Sequence, residues 1–344
     1  MAHAIELGLD TFGDVTYGPD GKLLPHHQVV RNVVEEAVLA DELGLDFIGI
    51  GEHHREDFAV SAPDVVLAAI AARTSRIRLG SAVTVLSSDD PVRVFQRFAT
   101  LDAVSNGRAE VILGRGSFTE SFPLFGFDLG RYEELFEEKL NLFTELRKEE
   151  PVSWSGSTRP PLQGQRVYPP TASGSLPTWI AVGGTPQSVV RAAHYGLPLM
   201  LAIIGGAPLN FAPFVELYHR ALEQFGQPQL PVGVHSPGYV AATDEQAREE
   251  MWPHYVAMQE RIGRERGWSR MSREQFEAEA GPDGALFVGS PETVAAKIVA
   301  VARGLGLSRF DLKYSLGTLP HEQLMTSIGL YGREVAPAVR EQLA

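Results

Sequence analysis

The sequence contains no cysteine among its 344 residues, which excludes disulfide bonds, thiolate metal sites and a cysteine nucleophile. It also lacks an excess of basic residues, since the formal net charge is −13. Nucleic-acid binding depends on neutralising phosphates with Lys and Arg, so we expect no nucleic-acid partner. No apolar run approaches the roughly 18 residues that a membrane span requires. The first residues lack the basic start and apolar run of a signal peptide, so we expect a cytoplasmic protein that does not contact membranes.

The composition is otherwise ordinary for a globular protein, with 44% hydrophobic and 21% charged residues. Apolar, β-rich runs alternate with segments of helical period. The eight predicted strands are residues 5–10, 46–51, 76–85, 109–114, 178–182, 199–203, 232–240 and 309–314. The predicted helices are residues 26–44, 63–73, 91–105, 131–148, 186–195, 213–225, 244–263, 291–304 and 321–342.

Nearly continuous apolar strands that alternate with helices are typical of a parallel sheet covered by helices. Eight such units, without a Gly-rich dinucleotide fingerprint after the first strand, predict an α/β fold of the (β/α)8 TIM-barrel type, with residues 1–344 as a single domain. Two insertions interrupt it. Residues 151–176, after the fourth helix, are rich in Pro, Gly and Ser, and segments 152–154 and 165–168 are predicted to pair as a hairpin. Residues 264–284, before the eighth strand, are polar and are predicted to be irregular.

Barrel enzymes carry their chemistry at the carboxyl ends of the strands. After the fifth strand, Gly183 and Gly184 precede Thr185 and Pro186, which suit the N-cap and first position of a helix. Helix capping alone accounts for this pattern. The alternative is a phosphate site, in which free helix N–H groups and the hydroxyls of Thr185 and Ser188 bind the anion.

Two arginines and two histidines are further candidates near strand ends. Arg115 lies between two glycines after the fourth strand, where its guanidinium can bind a phosphate or form a surface ion pair. Arg131 opens the following helix and is either a second contact or an exposed residue. His53 and His54 follow Glu52 after the second strand. Adjacent side chains diverge, so we expect one histidine to be an acid–base group at the mouth and the other to be structural.

Several segments in consistent order over residues 5–314 resemble the bacterial luciferase-like monooxygenases. They are GIGEHH, GSAVTVL, DPVR, SNGRAEVILGRG, VGGTPQS and VGSPETVAAKI. The resemblance implies a (β/α)8 barrel with a long insertion, usually a homodimer, that binds reduced FMN or, in a related branch, a deazaflavin. The expected dimer contact is formed by the helices at residues 63–73 and 91–105.

The resemblance also implies roles for individual residues. His53 falls on the family's active-site histidine, and Ala82 and Val83 fall where the flavin ring packs, with a cis peptide bond expected between them. The phosphate-contact positions fall on Arg115, Arg131, Thr185 and Ser188, with Gly183 and Gly184 in the same loop. Phe12, Phe118 and Phe122 are candidate shields of the site, although ordinary packing also accounts for each of them.

The implied activity is that of a monooxygenase. Reduced FMN from a separate flavin reductase would react with O2 on an unidentified small-molecule substrate, with His53 as general acid–base. Asp90 stands where luciferase has a histidine, and the cysteine of luciferase is absent, so we do not expect light emission. The alternatives are a deazaflavin-dependent dehydrogenase, a non-catalytic flavin-binding protein, and a metal-dependent hydrolase that uses Glu52, His53, His54 and His235. Because no separated His/Asp set completes a convincing metal site, we expect no bound metal.

Overall fold

Eight parallel strands close into a barrel in this computed structural model, which describes residues 5–116 and 118–344. In order around the barrel, the strands are β1 (Glu6–Thr11), β2 (Phe47–Ile50), β3 (Arg78–Ser81), β4 (Ala109–Gly114), β5 (Thr178–Val182), β6 (Leu199–Ala202), β7 (Val232–Val240) and β8 (Arg309–Lys313). The barrel closes where β8 pairs with β1, with Asp10 opposite Lys313. The predicted (β/α)8 fold is therefore confirmed.

The third strand is shorter than the sequence indicates. It ends at Ser81, and a separate two-residue strand, Thr84–Val85, pairs with β4 instead. The interruption falls at Ala82 and Val83, and the peptide bond between them is cis, as predicted.

Helices cover the outside of the barrel. They are α1 (His26–Glu42), α2 (Pro63–Ala71), α3 (Pro91–Val104), α4 (Ser121–Phe125), α5 (Tyr132–Leu146), α6 (Pro186–His194), α7 (Ala212–Gln224), α8 (Asp244–Arg266), α9 (Arg273–Ala280), α10 (Pro291–Leu305), α11 (His321–Leu330) and α12 (Ala336–Leu343). Several begin with a polar cap followed by proline, whose fixed φ suits the first helical position. Asp90 caps α3 in this way by accepting hydrogen bonds from the N–H groups of Val92 and Arg93. No helix in the described residues is long and apolar enough to cross a membrane.

The prediction that residues 264–284 are irregular is wrong. Helix α8 continues to Arg266, and α9 follows after a capping box in which Ser272 and Gln275 bind each other's backbone N–H groups. This helix is mostly polar, and Phe276 and Ala280 are its buried residues. With so few apolar residues on one face, the hydrophobic periodicity of the sequence does not reveal this helix.

Two other boundaries differ from the prediction. The hairpin partner of Val152–Trp154 is Leu162–Gln165, because Leu162 lies opposite Trp154 and this apolar cross-strand pair sets the register. The closing helix is divided by a π-helical turn at Tyr331–Val335. Pro337 has no N–H to donate to the carbonyl of Arg333, so the regular α-helical ladder is broken there.

The inside of the barrel differs between its two ends. Near the amino ends of the strands, the bulky side chains of Phe47, Ile112, Trp179 and Met200 pack together. Near the carboxyl ends, alternation along the strands turns small residues such as Gly49, Gly114 and Ala181 inward. The carboxyl end is therefore where space for a ligand is left.

Candidate active site at the barrel mouth

His53 lies in the loop after β2, and aromatic side chains surround its ring. The ring centroids of Phe12, Phe58 and Phe118 lie 4.7, 4.4 and 5.1 Å from that of His53. Its Nδ1 atom lies 3.6 Å from a carboxylate oxygen of Glu120. Burial of Glu120 favours its neutral form, but its interactions with His53 together with backbone N–H groups outweigh burial and lower the pKa of Glu120. His53 is thus a partly buried imidazole with an anionic partner, as an acid–base residue requires.

Two of the three predicted shields contact His53 and the third does not belong to this group. Phe12 and Phe118 are part of the aromatic surroundings, whereas Phe122 is fully buried and packs against Tyr132 at 5.6 Å. Phe58 and Glu120 were not predicted. Both are separated from the recognisable motifs, and only folding brings them to His53.

His54 faces a different environment. Its Nε2 atom lies 2.9 Å from Glu52, whose other carboxylate oxygen accepts the N–H of Val85 at 3.2 Å. A cavity of about 330 Å³ adjoins this pair and is lined by Glu52, His54 and Arg97 among others, but not by His53. The two adjacent histidines therefore diverge, as expected. Across residues 5–116 and 118–344, no group of three or more His, Asp or Glu side chains is arranged to hold a metal ion.

The Ala82–Val83 segment packs closely on two neighbouring strands. A Cβ atom on Gly49 would lie 2.8 Å from the Cβ of Ala82, and one on Gly114 would lie 2.6 Å from a methyl group of Val83. Any larger residue at these positions would displace the segment. The glycines of β2 and β4 thus allow this backbone to reach the mouth, where the flavin ring was predicted to pack.

The loop after β5 leaves helix α6 without a side-chain cap. The Thr185 hydroxyl donates to the Ser188 hydroxyl at 2.8 Å and does not bind the helix backbone. Gly184 has φ of +108°, a conformation that favours glycine, and a Cβ on Gly183 would meet nothing within 4 Å. The Ser188 N–H donates to the Thr185 carbonyl at 3.1 Å, and Ser188 is only 5% exposed. Because Pro186 has no N–H, the Gln187 N–H and the exposed Thr185 hydroxyl are the donors that this helix start offers in the described part of the chain.

Arg115 is linked to α6 through a carboxylate. Its guanidinium binds Glu133 and lies 5.3 Å from the ring centroid of Tyr132. Glu133 also binds Arg191, one turn beyond Ser188, at 3.0 Å. Because Glu133 is largely exposed, with 60% of its side chain accessible, the contact with Arg115 is open to exchange for another anion.

Arg131 is not brought to this group. It is exposed, and its guanidinium binds Glu134 at 2.8 Å and Ser157 at 2.6 Å. The ion pairs of Glu133 thus connect Arg115 to α6, the helix of Thr185 and Ser188, and Arg131 instead contacts Ser157 of the 151–176 insertion.

Sequence reasoning missed a second polar pair at the mouth. His235 on β7 lies with its Nδ1 atom 2.6 Å from the carboxylate of Asp10, which is only 1% exposed. The Phe12 ring stacks over His235 at a centroid distance of 6.3 Å. The available signal was that Asp10 lies near the carboxyl end of β1 and that His235 is a polar residue within β7. Their pairing was hidden because 225 positions separate them in the chain.

A family model for luciferase-like monooxygenases matches residues 11–309. The chain belongs to this family. Among the relatives of this luciferase-like protein, the uncharacterized protein y4vJ of Sinorhizobium fredii is 24% identical over 334 residues, which are 92% of this chain and 93% of that one. The alkanal monooxygenase alpha chain of Photorhabdus luminescens is 26% identical over 226 residues, or 63% of this chain and 59% of that one.

Solved structures share the fold over nearly the whole chain. Monooxygenase RslO1 from Streptomyces bottropensis matches with a TM-score of 0.82 at 25% identity, covering 97% of this chain and 99% of that one. The oxygenating constituent of 3,6-diketocamphane monooxygenase from Pseudomonas putida, solved with FMN, has a TM-score of 0.77 at 19% identity and the same coverage of 97% and 99%. The coenzyme F420-dependent tetrahydromethanopterin reductase from Methanopyrus kandleri reaches 0.71 at 17%, again covering 97% and 99%.

These findings confirm the family resemblance. Membership in the family supports a flavin-type cofactor and an oxygen-incorporating oxidoreductase. The last two structures, at 19% and 17% identity, show the fold alone.

Proposed function

We propose that the protein is an FMN-dependent monooxygenase, which receives reduced FMN from a separate flavin reductase and uses O2 to oxidise a small organic substrate in the cytoplasm. One observation carries the choice of a phosphate-bearing flavin. The uncapped start of α6, where the exposed Thr185 hydroxyl donates to the buried Ser188 hydroxyl, adjoins the open space at Gly183, at the same end of the barrel as His53.

The residues at the start of α6 fit a flavin phosphate. The Gln187 N–H and the Thr185 hydroxyl would donate hydrogen bonds to it, and the helix dipole favours an anion at this end. Arg115 would exchange Glu133 for the phosphate, a bidentate contact that its guanidinium suits. Glycines at positions 183 and 184 let the phosphate approach the backbone. These groups would hold the cofactor with its ring toward Ala82 and Val83.

His53 would control protons beside the ring. When bound, reduced FMN supplies the electrons that activate O2. The rings of Phe12, Phe58 and Phe118 exclude water from His53. Because Glu120 lies beside Nδ1, Nε2 is the atom left to hold or release a proton to the reacting groups.

We also propose that the protein forms a homodimer through α2 and α3. These helices carry Val65 and Val104, which are 64% and 57% exposed. Exposed aliphatic residues on neighbouring helices are suited to burial against a second copy.

A deazaflavin-dependent dehydrogenase is the second candidate. The similarity to the F420-dependent reductase, at a TM-score of 0.71, favours it. Equilibrium binding of FMN and of F420, each in reduced form under anaerobic conditions, separates the two candidates. Tighter binding of F420 would replace our proposal with this one.

The phosphate contact is tested with Arg115→Ala. We expect FMN to bind about 10- to 100-fold more weakly, the size of a lost hydrogen bond to a charged group. Riboflavin, which has no phosphate, should bind as it does to the wild type. Both dissociation constants are measured by quenching of flavin fluorescence. Arg303→Ala, which removes a guanidinium from the end of α10, is the control. Equal weakening of FMN and riboflavin would contradict the proposal.

A further inference from the structure

His235 and Asp10 form a buried pair that the proposed role of His53 does not use. Because a carboxylate accepts hydrogen bonds, Asp10 fixes the tautomer in which Nδ1 of His235 carries the proton. The Nε2 atom is then an acceptor. Within residues 5–116 and 118–344 it makes no hydrogen bond, and 13% of the His235 side chain is accessible.

Asp10 adds a second acceptor at the same place. Its Oδ1 atom is buried and has no hydrogen-bond partner in the described part of the chain. An unpaired buried carboxylate oxygen is costly, and such exceptions require an explanation. Lys313, which lies opposite Asp10 in the strand register, does not supply the missing donor, because its ammonium group binds Asp14 at 2.8 Å and also the Ser315 carbonyl.

The surroundings are acidic as well. Asp311 on β8 lies opposite His235 in the strand register. Burial, aided by the nearby carboxylates of Asp10 and Glu110, raises the pKa of Asp311 to about 6 despite the opposing effect of Arg309. Asp311 is itself paired with Arg309 toward the floor, so the acceptors left without a donor here, within the described residues, are Nε2 of His235 and Oδ1 of Asp10. The complementary ligand group is a hydrogen-bond donor.

The position of β7 indicates which ligand this would be. In the eight-stranded barrel, β7 lies four strands from β3 in either direction, so His235 lies across the mouth from the Ala82–Val83 segment. Under the proposed function, on which this step rests, the flavin ring packs at that segment. The side of the mouth at β7 and β1 is then left for the substrate.

We infer that His235, positioned by Asp10, is the residue that accepts a proton from an acidic hydroxyl group, a phenol or an enol, on the substrate. The substrate O–H bond breaks, an N–H bond forms at Nε2, and the electron pair stays on the substrate oxygen. No oxidant is consumed in this step. The resulting phenolate or enolate is an electron-rich carbon nucleophile, which is the form that reacts with an oxygen electrophile. His53 and His235, on either side of Phe12, thus handle protons for the cofactor and for the substrate respectively.

The probe for this inference is 4-nitrophenol, which absorbs strongly as the phenolate and weakly as the phenol. At a pH where the free probe is mostly protonated, the wild-type protein should raise the phenolate band on binding. His235→Gln should lower the affinity for the phenolate by about tenfold or more, the size of a hydrogen bond to a charged group. Asp10→Asn should also lower it, because the amide can donate to Nδ1 and favour the tautomer in which Nε2 carries the proton.

A matched ligand separates proton transfer from simple packing. 4-Nitroanisole has the same ring but no hydroxyl, so all three proteins should bind it equally. His194→Gln is the control variant, because His194 ends α6 at the opposite end of the barrel from the mouth and should leave the phenolate band unchanged. Thermal unfolding checks that each variant is folded.

Three outcomes would overturn the inference: no phenolate band with the wild type, an undiminished band with His235→Gln, or an equal loss of 4-nitroanisole binding. FMN binding is measured in the same samples. If the wild type binds no FMN but ionises 4-nitrophenol through His235, the proposed cofactor is refuted and the role of His235 as a base is not. If the wild type binds FMN but does not ionise 4-nitrophenol, only the role of His235 as a base is refuted.

Discussion

The two ends of the barrel contain charged residues in opposite arrangements. At the amino end, Arg309 is fully buried, binds Glu110 and Asp311, and lies 3.5 Å from the ring centroid of Phe47 and 5.2 Å from that of Trp179. At the carboxyl end, small residues stand in place of these rings. There Oδ1 of Asp10 and Nε2 of His235 make no hydrogen bond in the described part of the chain. The floor of the barrel is filled by large side chains and its charges form ion pairs, although Oε2 of Glu110 and Nη2 of Arg309 make no hydrogen bond in the described part of the chain. The two acceptors at the mouth, in contrast, have no cation from the described residues paired with them in this way.

The comparison separates stability from function. Buried opposite charges that are paired cost little net free energy, but each becomes expensive when its partner is removed. Unpaired polar groups at the mouth lower stability in the absence of a ligand, and such local inconsistencies are typical of functional sites. Substitutions at the floor should therefore change unfolding, and those at the mouth should change binding or turnover.

The largest effect is expected at the floor. Arg309→Met should lower the free energy of unfolding by about 3–5 kcal/mol, because it leaves Asp311 buried without its cation and Glu110 with only the partly exposed Arg78. Urea denaturation measures this loss. Arg78→Met is the control, since Arg78 also contacts Glu110 but is 33% exposed, and it should cost about 1 kcal/mol or less. A loss of similar size in the two variants would show that the floor does not depend on the buried charge.

The strand framework was predictable because its signal is local. The boundaries of β4, β5 and β7 agree with the sequence to the residue, since each is a β-rich segment whose ends are marked by loop residues. Helix α9 was missed because Phe276 and Ala280 are its buried residues and its polar surface resembles a loop. Periodicity identifies an element only when enough of one face is buried.

The candidate site was predictable only in part. His53, Thr185 and Ser188 lie in short motifs that have a family counterpart, so each could be named from the sequence. The contact between Asp10 and His235 depends on barrel closure through β8, which no local pattern encodes. Glu133 holds Arg115 in the same way, by a contact that helix periodicity cannot show.

At the mouth, His53→Gln should slow turnover by about 100-fold, the usual contribution of a positioned acid–base group. The free energy of unfolding and the FMN dissociation constant should change little. Turnover is measured as substrate-dependent O2 uptake with a flavin reductase, over a panel of small phenols. The adjacent His54→Gln is the matched control, because His54 pairs with Glu52 beside another cavity. Equal losses of turnover in the two variants would show that His53 has no catalytic role that His54 lacks.

The smallest effect concerns pH and lies outside the barrel wall, where α11 begins beside α1. There Nδ1 of His321 lies 2.8 Å from Glu36, which also accepts the hydroxyl of Tyr314 at 2.6 Å. Burial lowers the pKa of His321, but the carboxylates of Glu36 and Glu35 outweigh it, and the pKa is raised above 6.5. Since the folded pKa exceeds the unfolded one, the pair stabilises the protein fully below the unfolded pKa and loses its contribution as pH rises through the folded pKa.

His321→Gln should remove that pH-dependent part of the stability. The difference in unfolding free energy between wild type and variant should be about 1 kcal/mol or less at acid pH, because the pair is partly exposed, and should shrink as pH rises. Urea denaturation at a series of pH values above and below neutrality gives the difference directly. FMN affinity should not follow it, since the contact lies outside the mouth. A difference that grows with pH would mean that His321 is stabilised in its neutral form, and the assignment of Glu36 as its anionic partner would be wrong.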